Sequence, residues 1–188
     1  YPGSRLTEIN TLMPILINFI YLMNKKDNNF IYVFHATFEY ENTINQFLTS
    51  SKIKNYKITS NENEKCDFLK KSILAIAKSG TISLEIANYG IPFITIYKMN
   101  FLNFFIIKLL VKVKYANIIN IINESEIIPE LLQSNCNPNY ICKLVNKYIQ
   151  DPELCKQQVY NYRKILKEIK SETLSQNTIS EILIKNLN

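Results

Sequence analysis

Two patterns of hydrophobic residues alternate along this chain, one typical of strands and one typical of helices. Short runs rich in β-branched and aromatic residues precede stretches whose apolar residues recur every three or four positions. This alternation is typical of βαβ units, so it predicts an α/β fold built on a parallel sheet. The clearest helical pattern covers residues 6–25, and a buried strand is predicted at 73–77.

The same pattern assigns the rest of the chain. Gly90 lacks a Cβ and predicts a left-handed helix end, and Asp151 followed by Pro152 predicts a helix N-terminus. We expect one α/β domain over residues 1–150 and a helical extension over 151–188, without a repeat or linker. Further strands are predicted at 30–34, 56–59 and 92–97, and further helices at 41–50, 64–71, 82–89, 101–113, 126–133, 139–150, 152–170 and 172–187.

Composition is that of a folded globular chain. The 188 residues are 47% hydrophobic and 20% charged, with three glycines and six prolines, which excludes a disordered or collagen-like chain. The net charge of +6 rests on 22 cations, of which 20 are Lys, in a chain that also holds 30 Ile and 24 Asn. Because this bias is typical of drift in codon composition, we do not take the charge as evidence for a nucleic-acid partner.

Targeting signals and metal motifs are not evident in the sequence. No run of 18 uncharged apolar residues is present, and the first residues do not have the pattern of a secretory signal. The four cysteines form no C-x-x-C pair, and one histidine, His35, is available, so a zinc site is not expected. We expect reduced cysteines, a cytoplasmic location and no metal or cofactor.

The first candidate site is the junction that opens the helix at 6–25. Gly3 lets the backbone approach a ligand, Ser4 offers a hydroxyl, and Arg5 offers a bidentate fork for phosphate, with Glu8 on the same helical face. Helix N-termini at the carboxyl ends of parallel strands bind anions. An ordinary capped turn with a surface Arg and Glu explains the same residues, and this alternative stays open.

A second junction follows the strand at 73–77. Ser79, Gly80 and Thr81 open a helix, so their N–H groups and hydroxyls suit a phosphate. Glu85 lies four residues after Thr81 and leans toward the helix N-terminus, where its two oxygens suit the hydroxyls of a ribose. A nucleotide site and a simple helix cap both remain open on this evidence.

Several motifs, in order and spacing, resemble the C-terminal half of lipid-A-disaccharide synthases, which are GT-B glycosyltransferases. They are Pro2-Gly3-Ser4-Arg5 with Glu8, Lys78-Ser79-Gly80-Thr81 with Glu85, Gly90-Ile91-Pro92, Tyr97-Lys98-Met99, and Tyr115 leading to Asn120. The resemblance covers nearly the whole chain and implies a Rossmann-like parallel sheet flanked by helices. It implies a UDP-diacylglucosamine donor, a 2,3-diacylglucosamine 1-phosphate acceptor, a β-1,6-linked disaccharide product and release of UDP without a metal.

Residue roles follow from the resemblance. It implies that Ser4 and Arg5 hold the diphosphate, that Ser79, Gly80 and Thr81 donate to phosphate, and that Glu85 holds the ribose. Asn120 and Gln133 would line the nucleotide pocket, and Glu8, Tyr97 and Lys98 complete the predicted UDP site. Lys98 stands where the family commonly has Arg, and Ile119 stands where Pro is usual. The acceptor domain and its general base have no counterpart here, so no catalytic residue is predicted.

Other interpretations remain beside this one. The apolar stretch from Phe101 to Val111 fits a buried helix or a peripheral contact with the inner membrane, where acylated substrates reside. His35 is expected to be a surface or hydrogen-bonded histidine, because the sequence places no acid near it. A UDP-sugar epimerase-like domain, or a non-catalytic UDP-binding fragment, is the alternative function, and a homodimer is a further expectation.

Overall fold

The computed structural model describes residues 1–27, 29–99 and 114–171, with side chains to residue 169. Within these ranges the chain forms seven α-helices and five β-strands. The helices are α1 (Leu6–Asn24), α2 (Glu41–Ser50), α3 (Glu62–Lys71), α4 (Ile82–Tyr89), α5 (Ile118–Asn123), α6 (Pro138–Gln150) and α7 (Pro152–Ser171). The strands are β1 (Tyr32–His35), β2 (Tyr56–Thr59), β3 (Ala75–Lys78), β4 (Phe93–Tyr97) and β5 (Glu130–Leu132).

All strand pairs are parallel, which confirms the predicted α/β class. The described strands form two sheets, one of β1 and β2 and one with the order β3-β4-β5. Tyr32 lies opposite Tyr56 in the first sheet, and Ala75 lies opposite Phe93 in the second. Helix α1 precedes β1, and α2, α3 and α4 each lie between two successive strands, as parallel connections require.

The three-stranded sheet is buried on both faces, as parallel sheets usually are. Ile94 and Ile96 of β4 belong to a core that also contains apolar side chains of α1, α2 and α6. Phe93 faces the opposite way, into a second core with side chains of α4 and α7, including Tyr162. These four side chains are all fully buried, so β4 is the central element of the fold.

The C-terminal part departs most from the sequence prediction. The predicted helix at 126–133 is wrong, because Glu130–Leu132 is strand β5, which pairs with Thr95 to Tyr97 and is followed by a 3-10 turn at Gln133–Asn135. A three-residue strand is too short to display a period of two, so its apolar residues resemble a helix turn. Residues 117–123, which lacked a prediction, contain α5. The predicted helices at 101–113 and 172–187 lie outside the described residues.

The two predicted helix ends are confirmed. Gly90 ends α4 with φ +74°, and its N–H bonds back to the helix. Asp151 Oδ1 accepts from the N–H groups of Glu153 and Leu154 at 3.1 Å. Helix α3 begins two residues earlier than predicted, because Asn61 Oδ1 caps it by accepting from the N–H groups of Asn63 and Glu64.

Helix α1 is long and apolar enough to cross a membrane, which makes it the one such helix in the described part of the chain. It has 19 residues and a mean hydropathy of 1.4, and 44% of the tested window is buried inside the fold. Its inner face, with Ile9, Leu12 and Leu16, belongs to the first core and packs on α6. Core packing is sufficient to explain this apolar composition.

Gln158 joins α7 to the central strand. Its side chain is almost fully buried and forms both bonds of a peptide-like pair with Phe93: Oε1 accepts from the N–H at 2.8 Å, and Nε2 donates to the carbonyl at 3.0 Å. Nε2 also donates to the Tyr148 hydroxyl at 2.9 Å. The amide therefore satisfies the backbone of β4 at the point where that strand begins.

Replacing Gln158 by Ala should lower the free energy of unfolding by about 1–3 kcal/mol, because the N–H and carbonyl of Phe93 would remain buried without partners. Its neighbour Gln157 is exposed, so Gln157→Ala is a matched control and should change stability by less than about 0.5 kcal/mol. Urea denaturation of both variants measures the difference. Equal stability of the two would contradict a structural role for the Gln158 amide.

Candidate nucleotide-binding site

Tyr1 brings the two predicted junctions to the same edge of the sheet. Its N-terminal nitrogen donates to the Ile76 carbonyl at 2.9 Å, and its own carbonyl accepts from the Lys78 N–H at 3.0 Å. This is one rung of a parallel ladder along β3. The loop that follows Tyr1 therefore starts at the carboxyl end of β3, beside the loop that leads into α4.

Lys78 ties these two loops together through its side chain. Its Nζ lies 2.9 Å from Glu8 Oε1 and 5.3 Å from the centre of the Tyr97 ring. Both partners of the ion pair are mostly buried. One lysine thus connects the start of α1, the end of β3 and the end of β4.

Glu8 also closes the first loop. Its Oε2 accepts from the Ser4 N–H at 3.1 Å, so the carboxylate reaches back over the start of its own helix. Gly3 has φ +120°, and a Cβ at this position would lie 2.5 Å from Glu8 Oε2 and 2.7 Å from Glu8 Cβ. The contacts of Glu8 indicate that it shapes the loop.

Ser4 and Arg5 are exposed at the N-terminus of α1. The first N–H groups of a helix have no partner within it, and the positive end of the helix dipole lies there. The Arg5 side chain forms no helix cap. Both side chains are therefore accessible from solvent at this helix end.

The second loop presents its backbone in a similar way. Gly80 and Thr81 are exposed, and the Thr81 side chain forms no capping bond with α4. Ser79 differs, since its hydroxyl donates to the Ala116 carbonyl at 2.5 Å and fixes the loop to the segment before α5. Gly80 and Thr81 are thus open to solvent, whereas the Ser79 hydroxyl is engaged inside the protein.

Glu85 is held by a lysine that the sequence analysis missed. Lys65 of α3 is buried, and its Nζ lies 2.7 Å from Glu85 Oε1 while it also contacts the carboxylate of Glu62. Burial alone would lower the pKa of Lys65, but the bonds to Glu62 and Glu85 outweigh it and raise that pKa. Glu85 is about one-third exposed, so its carboxylate is fixed in position and still reaches solvent.

His35 lies beside this cluster, and the expectation of a surface or hydrogen-bonded histidine without an acid nearby is wrong. Its side chain is 16% exposed, and its Nε2 lies 3.6 Å from Glu62 Oε1. The centre of its imidazole ring lies 5.3 Å from the centre of the Tyr1 ring. At that distance Nε2 makes no hydrogen bond with the described residues. Burial, and next the charge of Lys65, lowers the pKa of His35. The sequence analysis missed Glu62 because α3 approaches the sheet from another part of the chain.

Tyr97 and Lys98 lie at the carboxyl end of β4. Burial, and next the charge of Glu8, raises the pKa of Tyr97, whereas the charge of Arg5 lowers it. Lys98 is exposed. Gln133 has φ +49°, and its Oε1 accepts from the Met99 N–H at 2.9 Å, so it holds the chain where β4 ends.

Asn120 belongs to a buried polar network that sequence spacing did not reveal. Its Oδ1 accepts from the N–H groups of Ile127 and Ile128, and its Nδ2 donates to the Ile128 carbonyl and to Glu130. The Glu130 carboxylate also accepts from the N–H groups of Ala116 and Asn117. Asn120 is fully buried, so its contacts hold the loop before β5. No local pattern points to Glu130, since its partners lie 10 to 14 residues away.

Within residues 1–27, 29–99 and 114–171, no group of three or more His, Cys, Asp or Glu side chains is arranged to hold a metal ion. What the site offers is two helix N-termini, one exposed arginine and carboxylates held by lysines. The fold is a parallel α/β domain, and these helix N-termini lie at the carboxyl edge of its sheet, where domains of this class bind their ligands.

Comparison with known proteins identifies the family of this α/β domain. A family model described as lipid-A-disaccharide synthetase matches residues 1–183, and the chain belongs to this family. Lipid-A-disaccharide synthases from Persephonella marina, Rickettsia prowazekii and Rickettsia bellii are 35%, 38% and 41% identical to it over 170, 172 and 170 residues. These alignments cover 89–91% of this chain and 43–45% of the relatives. The chain thus spans somewhat less than half the length of the curated relatives it matches.

Gly3→Ala should destabilise the protein by about 1–3 kcal/mol, because the positive φ is unfavourable for Ala and the new Cβ would collide with Glu8. Gly80→Ala is the control. Its φ is +157°, and a Cβ there meets no atom within 4 Å, so it carries backbone strain without a clash. Thermal denaturation should show the larger loss for Gly3→Ala, and the reverse order would contradict the close packing of Glu8 on the loop.

Proposed function

We propose that this chain is the nucleotide-sugar-binding half of a lipid-A-disaccharide synthase. The observation that carries the proposal is the meeting of two helix N-termini at one sheet edge, joined by the Lys78–Glu8 ion pair. Family membership supports it. The proposed reaction transfers 2,3-diacylglucosamine from its UDP donor to 2,3-diacylglucosamine 1-phosphate, forms the β-1,6 disaccharide and releases UDP.

The diphosphate would lie between the two loops. Arg5 would bind it with two parallel N–H bonds, and Ser4 would add its hydroxyl at the same helix end. On the other side, Ser79, Gly80 and Thr81 would donate N–H groups at the start of α4. Negative charge develops on UDP as the sugar leaves, so donors fixed in advance at this point stabilise the transition state.

Glu85 would bind the ribose. Lys65 pairs with Oε1, so the other carboxylate oxygen, Oε2, would accept hydrogen bonds from the ribose hydroxyls. Lys65 thus positions the group and offsets part of its charge beside a diphosphate. This arrangement explains how an acidic residue can lie near a site for an anion.

The other predicted residues would act around this centre. Tyr97 and Lys98 would line the site at the end of β4, with Glu8 fixing the first loop. Asn120 and Gln133 would act through the backbone segments that they hold, since their side chains are engaged with protein groups. The general base and the acceptor pocket would come from outside these 188 residues.

The substrates imply a place at a membrane surface. Because both sugars carry acyl chains, the enzyme would work on the cytoplasmic face of the inner membrane. The proposed contact runs from Phe101 to Val111, which lies outside the described residues. A homodimer stays part of the proposal as an expectation from the sequence.

Arg5→Lys should weaken UDP binding about tenfold or more, or about 1.4 kcal/mol, because an ammonium cannot form the two parallel bonds of a guanidinium. Uridine, which lacks the diphosphate, should bind both proteins equally. Arg163 is exposed on α7, and its guanidinium lies against Gly90 at the far end of α4, so Arg163→Lys is the matched control. Calorimetric titration that gives all three proteins the same affinity for UDP would refute the diphosphate role of Arg5.

Glu85→Gln should weaken UDP binding by about 1–3 kcal/mol through loss of charge-assisted bonds to the ribose. Pyrophosphate binding should hardly change, since it lacks the ribose. Glu153→Gln, on an exposed surface of α7, controls for the loss of one negative charge. Equal losses for UDP and pyrophosphate would mean that Glu85 acts by holding Lys65 and does not contact the ribose.

A further inference from the structure

Glu130, at the start of β5, is a carboxylate held by donors from another part of the chain. Its Oε2 accepts from the Ala116 N–H at 2.7 Å, and its Oε1 accepts from the Asn117 N–H and from Asn120 Nδ2, both at 2.8 Å. Within the described ranges no Lys, Arg or His side chain forms an ion pair with it. Hydrogen bonds, two of them from the backbone, therefore hold this charge in place.

The peptide group between Ala116 and Asn117 joins Glu130 to the loop before α4. In a trans peptide the N–H and the carbonyl point in opposite directions, and the atoms of the group move as one rigid plane. The N–H of this group donates to Glu130, and its carbonyl, which belongs to Ala116, accepts from the Ser79 hydroxyl at 2.5 Å. One planar unit thus connects the carboxylate on β5 to the first residue of the loop 79–81.

The charge of Glu130 strengthens the bond at the far side of this peptide group. An N–H that donates to a carboxylate polarises its peptide group, so the carbonyl oxygen becomes a better acceptor. The Ser79 hydroxyl donates to that oxygen. The bond that holds Ser79 therefore depends on the carboxylate, although the two side chains do not touch.

Asn117 attaches the same segment to the core independently of Glu130. Its side chain is fully buried, and its Nδ2 donates to Ser83 Oγ at 3.0 Å and to Thr95 Oγ1 at 2.7 Å. Its Oδ1 accepts from the Ile119 N–H at 2.9 Å. Because these bonds reach α4, β4 and α5, loss of the carboxylate should displace one peptide group without releasing the whole segment.

The loop 79–81 carries the donors that this network holds in position. The N–H groups of Gly80 and Thr81 make no hydrogen bond with other described residues, and both residues are exposed. A Cβ at Gly80 would meet no atom within 4 Å, so packing does not fix the middle of the loop. The directions of these two N–H groups therefore depend on the two ends of the loop, Ser79 and the start of α4.

We propose that Glu130 is a positioning residue for phosphate binding, and that it acts through the peptide group of Ala116 and Asn117 and the hydroxyl of Ser79. The inference rests on the proposed function, because it takes the N–H groups of the loop 79–81 as donors to the diphosphate. Glu130 itself would not touch the ligand, since both of its oxygens are engaged inside the protein. Donors held in advance bind an anion without the cost of ordering the loop.

Glu130→Gln separates the partners of the carboxylate. The amide oxygen can still accept from Asn117 and Asn120, but the NH2 group then faces the Ala116 N–H, so two donors oppose each other. We expect the affinities for pyrophosphate and for UDP to fall about fivefold or more, with uridine affinity unchanged. Calorimetric titration measures all three. Glu124 is exposed at the end of α5, so Glu124→Gln is the matched control and should bind pyrophosphate as the parent chain does.

Ser79→Ala tests the path between Glu130 and the loop. It removes the hydroxyl and leaves the carboxylate with all of its donors, so we expect a similar loss of pyrophosphate affinity. Because both changes break the same chain of bonds, the double variant should bind pyrophosphate no more weakly than the weaker single variant. Additive losses would show that Glu130 acts by another route and would overturn the proposal.

NMR and thermal denaturation separate positioning from stability. The Asn117 amide proton should move upfield in Glu130→Gln, and it should also shift in Ser79→Ala, because the two bonds share one peptide group. A lower melting temperature of Glu130→Gln with parent affinity for pyrophosphate would show a purely structural role and overturn the proposal. If Glu130→Gln does not fold, Ser79→Ala decides: parent affinity refutes the proposal, and a fivefold loss with a shifted Asn117 amide supports it.

The same titrations distinguish this inference from the proposed function. A parent chain that binds neither UDP nor pyrophosphate would refute the proposed function, and this inference with it. A parent chain that binds both, with unchanged affinities in Glu130→Gln and Ser79→Ala, would refute the role of Glu130 alone.

Discussion

The candidate site depends on Lys78, the last residue of β3. Its backbone N–H completes the rung with Tyr1, its ammonium pairs with Glu8, and it lies over the ring of Tyr97. Both charges of the pair are mostly buried, so salt screens them less than an exposed pair, and loss of either partner would leave a buried charge. Because its three contacts reach three different segments, the two loops cannot separate without breaking this set of contacts.

A second carboxylate, that of Glu85, is also held by a mostly buried lysine. Lys65 lies between two carboxylates that come from different helices, and each lysine beside the site thus offsets negative charge close to where an anion would bind. Because desolvation of buried charges offsets much of their mutual attraction, ion pairs of this kind add little net stability. These ion pairs therefore act mainly by fixing the positions of the carboxylates of Glu8 and Glu85. With the carboxylates of Glu8 and Glu85 engaged by lysines, the exposed guanidinium of Arg5 and the helix N-termini remain to attract a phosphate.

Sequence patterns predicted the parts of the structure that are determined locally. Helices α1, α2 and α4 and the caps at Gly90 and Asp151 follow from periodicity and from single-residue chemistry. Strand β5 was missed because pairing with β4, and not its own pattern, makes it a strand. Lys65 and Glu62 were missed for a related reason. Their roles depend on α3 approaching α4 and the end of β1, which is a long-range contact without a local signal.

The two loops of the candidate site are held by different kinds of contact. The loop that carries Ser4 and Arg5 is positioned by one ladder rung at Tyr1 and by the contacts of Glu8. The loop that carries Gly80 and Thr81, in contrast, follows a strand that is paired along its length with β4. The contacts of Glu8 with Ser4 and Lys78 therefore fix the first loop, as pairing with β4 fixes the strand that leads into the second. Both loops are held by contacts within the protein, so an anion between them would meet donors whose positions are already set.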